Sequence, residues 1–174
     1  MEPQTHISGK KIVIVEDNSA LAEIYKTRLE LLGHTCFIGY NGITGLYFIQ
    51  NELPDLVLLD LMVPDIAGDQ ILLRMRASTW GKDIPVIIIS NLNESEAPAG
   101  LRDLGILEYV VKANMSSDAI DQIVTEAFEA TSVRPAPTES IEAVATSAPL
   151  DTVTARVDVQ VPPTESGPPQ DATA

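Results

Sequence analysis

The sequence predicts an α/β protein in which a parallel sheet is wrapped by helices on both faces. Two observations predict it. Short apolar runs alternate with longer stretches of helical periodicity from Lys11 to about Ala130, and alternation of that kind builds parallel strands joined by crossover helices. Most of the runs are also rich in β-branched residues, as strands buried on both sides require.

Five runs read as strands: Ile12 to Val15, Cys36 to Ile38, Leu56 to Leu59, Val86 to Ile89 and Tyr109 to Val111. Between the first two, Leu21, Ile24, Tyr25, Arg28, Leu29 and Leu32 follow three- and four-residue spacing, and Gly33 supplies a helix stop. Ile43 to Gln50 sets Ile43, Leu46 and Ile49 on one helical face, and Asp69 to Arg76 offers Leu72, Leu73 and Met75. A fourth helix is expected between Asn93 and Leu104, short or starting late near Ala97, because Pro98 and Gly100 weaken a helix interior. Ser116 or Ser117 can cap a last helix with Ile120, Ile123, Val124, Ala127 and Phe128 along one stripe.

The expected organisation is a leader over 1–9, one domain over 10–130 and a disordered tail over 131–174. The tail holds seven of the twelve prolines and no aromatic residue, too little apolar matter to fold alone. Within it Val153, Ala155, Val157, Val159 and Val161 alternate with more polar residues, a pattern able to add a strand to a partner's sheet.

Composition excludes several classes of function. A formal net charge of −14, with no basic run longer than Lys10 and Lys11, argues against nucleic acid and anionic membranes as partners. Cys36 is the only cysteine, which suits a reducing compartment. No apolar run approaches the roughly 18 residues of a membrane span, and the polar start lacks a signal peptide's apolar stretch. A cytoplasmic location is expected.

In an open parallel sheet, ligands sit beyond the carboxyl ends of the strands. The runs end in Glu16 and Asp17, in Asp60, in Ser90 and in Lys112. Carboxylates brought together there need a neutralising cation, and Mg²⁺ favours hard oxygen ligands of this kind. A carboxylate beside such an ion can attack phosphorus and form an acyl phosphate, with Lys112 and Ser90 placed to bind the phosphoryl oxygens.

Four stretches carry a family resemblance: IVIVEDN at Ile12 to Asn18, PDLVLLDLMVPDIAG at Pro54 to Gly68, VIIIS at Val86 to Ser90 and EYVVK at Glu108 to Lys112. In order and spacing they resemble a bacterial receiver domain of a two-component response regulator, of the single-domain CheY-like kind. The resemblance implies a flavodoxin-like fold with strand order 2-1-3-4-5. It implies that Asp60 accepts phosphate and that Glu16, Asp17, Asp60 and the backbone carbonyl of Met62 hold Mg²⁺. Lys112 and Ser90 would bind the phosphoryl group, and Ser90 and Tyr109 would act as the switch pair. The implied donor is a histidine kinase or histidine phosphotransfer protein. With no effector domain following, output is expected through contact with another protein rather than through catalysis.

Two features depart from the family pattern. Ala113 follows Lys112 where a proline, often cis, is usual, so the loop is either trans and reshaped or strained. Pro98 and Gly100 interrupt the fourth helix, on the face the family uses to signal. Competing readings are a receiver-like adaptor that is never phosphorylated and, more remotely, an aspartyl-phosphate hydrolase. The adaptor need not keep the acidic pair, acceptor and lysine, all present here, and the hydrolase needs a second Asp where Met62 stands. No GxGxxG turn follows the first strand, so no dinucleotide site is expected. His34, Cys36, His6 and Trp80 read as structural or solvated residues.

Overall fold

A computed structural model describes residues 9–116 and 118–132. In chain order it contains β1 (Lys11–Val15), α1 (Ser19–Leu31), β2 (Thr35–Gly39), α2 (Gly42–Glu52), β3 (Leu56–Leu59), α3 (Gly68–Ala77), β4 (Val86–Ser90), β5 (Glu108–Val111) and α4 (Ala119–Ser132). The five strands form one parallel sheet in the order β2-β1-β3-β4-β5. Strand order reverses between β1 and β3, whose carboxyl ends therefore flank the topological switch point. The expectations for the leader up to residue 8, for Ser117 as a cap and for the tail beyond residue 132 fall outside the described residues.

Successive strand residues point to opposite faces, which divides the core in two. Val13, Val15, Val57, Leu59, Val86 and Ile88 pack with Ile49, Ile71, Leu72 and Met75 on the α2 and α3 side. Ile12, Ile14, Leu56, Leu58, Ile87 and Ile89 pack with Tyr25, Leu29, Ile120, Val124 and Phe128 on the α1 and α4 side. Among the described residues no helix is long and apolar enough to cross a membrane.

Local chemistry explains the helix ends. The Asn18 side chain accepts the Leu21 N–H at 3.2 Å and opens α1. Gly33 closes it in the left-handed region, with φ 91°. There the Gly33 N–H donates to the Glu30 carbonyl at 2.9 Å and the His34 N–H to the Leu29 carbonyl at 3.1 Å, satisfying two carbonyls the helix leaves open. At the start of α2, the Asn41 side chain accepts the Thr44 N–H at 2.8 Å and the Thr44 hydroxyl accepts the Asn41 N–H at 3.3 Å, a capping box.

Three expectations need correction. The fourth crossover holds no α-helix among the described residues, only 3-10 turns at Glu94–Glu96 and Arg102–Leu104. Pro98 removes a backbone donor, and Gly100 takes φ 85°, so the i→i−4 ladder cannot propagate through them. In α2, Ile43 is 58% exposed rather than facing the core, where Gly42, Gly45 and Ile49 pack instead. In α3, Leu73 likewise turns outward and Ile71 takes the inner position.

Two arginines whose partners no local spacing marks fix the outer layers. Arg28 on α1 forks onto Asp121 at 2.7 and 3.1 Å and reaches Asp118 at 2.7 Å, fastening α4 to α1. Arg76 donates to the carbonyls of Leu104, Gly81, Ile84 and Gly105 at 2.6–3.2 Å, tying α3 to the loops that precede β4 and β5.

Near the start of β2, His34 is buried against the Phe128 ring, with centroids 5.4 Å apart, and its Nδ1 accepts the Lys10 N–H at 3.4 Å. Burial holds its pKa below the usual imidazole value. A depressed pKa contributes stability that is complete above about pH 6.5 and is lost as pH falls through the folded value. The stability difference between wild type and His34→Gln should therefore narrow as pH drops from about 8 to about 5. Urea unfolding across that range checks it, and a constant difference would contradict the assignment. Cys36, on the same strand, has its thiol pushed up to about 12 by burial, so it is protonated and inert at neutral pH.

Candidate phosphoacceptor and metal site

β1 and β3 lie side by side, so Glu16 and Asp17 leave the sheet next to Asp60. Backbone pairing carries the alignment past the strand ends: the Asp60 N–H donates to the Val15 carbonyl at 2.9 Å, and the Glu16 N–H to the Gly39 carbonyl at 3.0 Å. Carboxylate oxygens of Glu16, Asp17 and Asp60 lie within 4.8 Å of one another. Glu16 and Asp60 are buried, and Asp17 is exposed at the rim.

Lys112 reaches into this cluster from the end of β5. Its Nζ lies 2.5 Å from Asp60 Oδ2 and 2.6 Å from Glu16 Oε2, with the lysine side chain 9% exposed. The second Asp60 oxygen accepts the Met62 N–H at 3.0 Å, and Glu16 Oε1 accepts the Asn18 N–H at 3.2 Å. Burial acts to lower the Lys112 pKa, but the hydrogen bonds and charges of Asp60 and Glu16 outweigh it and hold the ammonium protonated. Burial raises the Glu16 pKa, aided by the Asp60 charge and opposed by Lys112. One ammonium facing the carboxyl groups of Glu16, Asp17 and Asp60 leaves the cluster in formal negative excess. Hard oxygens in negative excess fit a divalent cation. Beneath the cluster, burial and the charges of Glu16 and Asp60 push the buried Tyr25 hydroxyl up to about 12.

Ser90 ends β4 fully buried, and its Oγ accepts the Leu92 N–H at 3.5 Å. The half-buried Tyr109 donates its hydroxyl to the Leu92 carbonyl at 3.0 Å. Burial raises the Tyr109 pKa, and a hydrogen bond with Ser90 opposes that rise. Ser90 and Tyr109 are therefore joined through the loop that follows β4. The Met62 side chain is 55% exposed, and its backbone N–H supports Asp60. After Lys112 the chain makes a 3-10 turn over Lys112–Asn114, and no described peptide bond is cis, so the loop at Ala113 is trans and reshaped.

The sequence reading overlooked the supports beneath Asp60. The loop from Leu61 to Ala67 is held at its middle by the Gly42 N–H donating to the Pro64 carbonyl at 2.9 Å and closed at its base by the Gly68 N–H donating to the Leu61 carbonyl at 3.0 Å. A Cβ at Gly68 would lie 2.2 Å from the Asp60 carbonyl oxygen and 2.8 Å from the Leu61 Cα, both backbone atoms. Gly68→Ala should therefore destabilise the fold by about 1–3 kcal/mol, read by urea unfolding. A loss within the noise would mean that the loop yields freely. A glycine immediately before the α3 periodicity was the available signal.

Comparisons with known proteins agree with this geometry. The chain is 35% identical over 107 residues to the "Probable transcriptional regulator ycf27" of Cyanophora paradoxa, covering 61% of this chain and 43% of that protein. It is 27% identical over 161 residues to the phosphate regulon transcriptional regulatory protein PhoB of Pseudomonas aeruginosa, covering 92% of this chain and 68% of that one. The chain spans only about two fifths of the ycf27 relatives it matches, 39% in Galdieria sulphuraria. Among solved structures, the Francisella response regulator 1452 receiver domain superposes with TM-score 0.63 at 25% identity, over 71% of this chain and 99% of that one. A CheY-like receiver domain protein of Methanospirillum hungatei JF-1 gives 0.62 at 26% identity, over 72% and 98%. The family model of the response regulator receiver domain matches residues 12–125, most of the chain and all five strands, and the protein belongs to that family.

Proposed function

We propose that the protein is a phosphorylation switch in which Asp60 accepts a phosphoryl group from a histidine kinase or a histidine phosphotransfer protein. A carboxylate oxygen of Asp60 attacks phosphorus, the bond from phosphorus to the donor nitrogen breaks, and the donor leaves as neutral imidazole once protonated. The product is an acyl phosphate. The observation that carries this reading is the buried Asp60 carboxylate, sharing Lys112 with Glu16 inside a three-carboxylate cluster.

Glu16, Asp17, Asp60 and the Met62 backbone carbonyl would hold Mg²⁺. A bound divalent ion offsets the negative charge that would otherwise repel an anionic phosphodonor. Lys112 then exchanges a carboxylate partner for phosphoryl oxygens, and the Ser90 hydroxyl hydrogen-bonds the new group. Because Ser90 and Tyr109 meet at the Leu92 loop, occupancy of Asp60 is transmitted to the surface of the fourth crossover and β5. The role is that of a phosphoacceptor, not of an enzyme acting on an external substrate. A cytoplasmic location and output by protein contact follow from the same reading, supported by an acidity that disfavours direct contact with nucleic acid or anionic membrane.

Incubation of the full chain with a small-molecule phosphodonor and Mg²⁺ tests the proposal by intact-mass measurement. One added phosphoryl group, lost on removal of Mg²⁺ from the reaction, is the expected result. An unmodified wild-type mass would reject it.

A further inference from the structure

The face of the sheet that carries the acidic cluster also carries Tyr25. Side chains alternate along a strand, so Glu16 continues the row of Ile12 and Ile14, and Asp60 the row of Leu56 and Leu58. The backbone pairing that runs past both strand ends keeps this alternation. Those four apolar residues share one core cluster with Tyr25 of α1. A helical tyrosine leans back over the turn before it, and the turn before Tyr25 leads to Ser19, two residues past Asp17. The hydroxyl is therefore directed towards the carboxylate rim, where the charges of Glu16 and Asp60 act on it.

Tyr25 is 2% exposed, and its hydroxyl makes no hydrogen bond to a described residue. No fully enclosed polar side-chain atom among the described residues lacks a partner, so the hydroxyl lies where the ring keeps its sliver of exposure. A tyrosine sunk this deep ordinarily gives its O–H to a partner. Phenylalanine would fill the same volume, so packing alone does not account for the oxygen. Burial and the two carboxylates keep the proton on that oxygen at neutral pH, so it remains a donor.

We propose that Tyr25 is a positioning residue of the phosphoacceptor site, whose hydroxyl donates to Glu16 once Lys112 has turned to the phosphoryl group. In the resting site Glu16 Oε2 has Lys112 at 2.6 Å, and Oε1 has the Asn18 N–H at 3.2 Å. Phosphorylation of Asp60, on which this role rests, draws the ammonium away and leaves Oε2 buried without its donor. A hydroxyl waiting on the same face fills that place. It holds the Glu16 carboxylate in position while Lys112 serves the phosphoryl oxygens.

Tyr25→Phe keeps the ring and deletes the oxygen. Without a phosphodonor its urea unfolding should match wild type, because the resting hydroxyl has no partner to lose. With phosphoramidate and Mg²⁺, intact-mass kinetics on the full chain should show uptake at saturating donor slower by about tenfold or more. The half-saturating phosphoramidate concentration should not change, since the bond is made only after the donor is bound. A second measurement needs no phosphoryl group, because Lys112→Met also frees Glu16 Oε2. Adding Tyr25→Phe to it should lower Tm by about 5 °C or more in Mg²⁺-free buffer, against about 1 °C or less in wild type. Wild-type kinetics in folded Tyr25→Phe, a slowing due wholly to weaker donor binding, or an equal Tm change in both backgrounds would overturn the proposal. A wild-type chain that takes up no phosphoryl group would reject the phosphoacceptor reading instead, and the Tm comparison would still decide whether Tyr25 serves Glu16.

Discussion

Asp60→Asn should abolish phosphoryl uptake from a small phosphodonor, lowering its rate by about 10³-fold or more, the scale on which loss of a covalent nucleophile is felt. The amide is nearly isosteric with the carboxylate and keeps an oxygen able to accept the Met62 N–H, now 3.0 Å from Asp60 Oδ1. It carries no charge and is a poor nucleophile. Folding should survive, because Lys112 retains Glu16 at 2.6 Å as its ion-pair partner. Intact-mass kinetics with Mg²⁺ read the uptake, and thermal unfolding confirms the fold. Uptake by Asp60→Asn at the wild-type rate would place the acceptor elsewhere.

Lys112→Met should cost about 3–5 kcal/mol of stability without Mg²⁺, the usual effect of deleting one partner from a buried ion pair. For a domain of this size the loss corresponds to a Tm lower by about 10–20 °C. Two carboxylates, at 2% and 3% side-chain exposure, would face each other with no cation between them. The cost has a definite sign with pH. Glu16 already has a raised pKa in the fold, through burial first and the Asp60 charge besides. A raised carboxyl pKa makes stability fall as pH climbs from the unfolded value through the folded one. The deficit of Lys112→Met should therefore be larger at about pH 8 than at about pH 5, because the raised Glu16 pKa brings protonation, and with it relief of the repulsion, nearer as pH falls. Mg²⁺ should restore part of it by binding only the folded state. Differential scanning calorimetry with and without Mg²⁺ measures both effects. A deficit independent of pH and of Mg²⁺ would mean that Lys112 matters for packing and not as a counter-charge.

The sheet was readable because strands buried on both faces leave an uninterrupted apolar signature, and all five runs from Ile12 to Val111 became strands. Glu16, Asp60 and Lys112 were readable because each directly follows such a run, and Asp17 because it completes an acidic pair with Glu16. What remained hidden depended on contacts between distant segments. Nothing local marks Arg76 as the residue that holds four carbonyls, since its partners lie up to 29 positions away. The inner face of α2 was misassigned because apolar residues surround that helix, so spacing alone favoured Ile43 over the small Gly42 and Gly45 that let α2 approach the sheet. The fourth crossover was overestimated because the α/β alternation calls for a helix between β4 and β5, and Pro98 and Gly100 do not support even a short one.

The Arg76 fan also has a bearing on the site, although it touches none of it. Its guanidinium rivets the loops that enter β4 and β5 to α3, at the rim remote from the carboxylates. Ser90 ends the first of these strands and Lys112 directly follows the second, so one side chain at the far rim sets the footing of both strands that deliver residues to the Asp60 side.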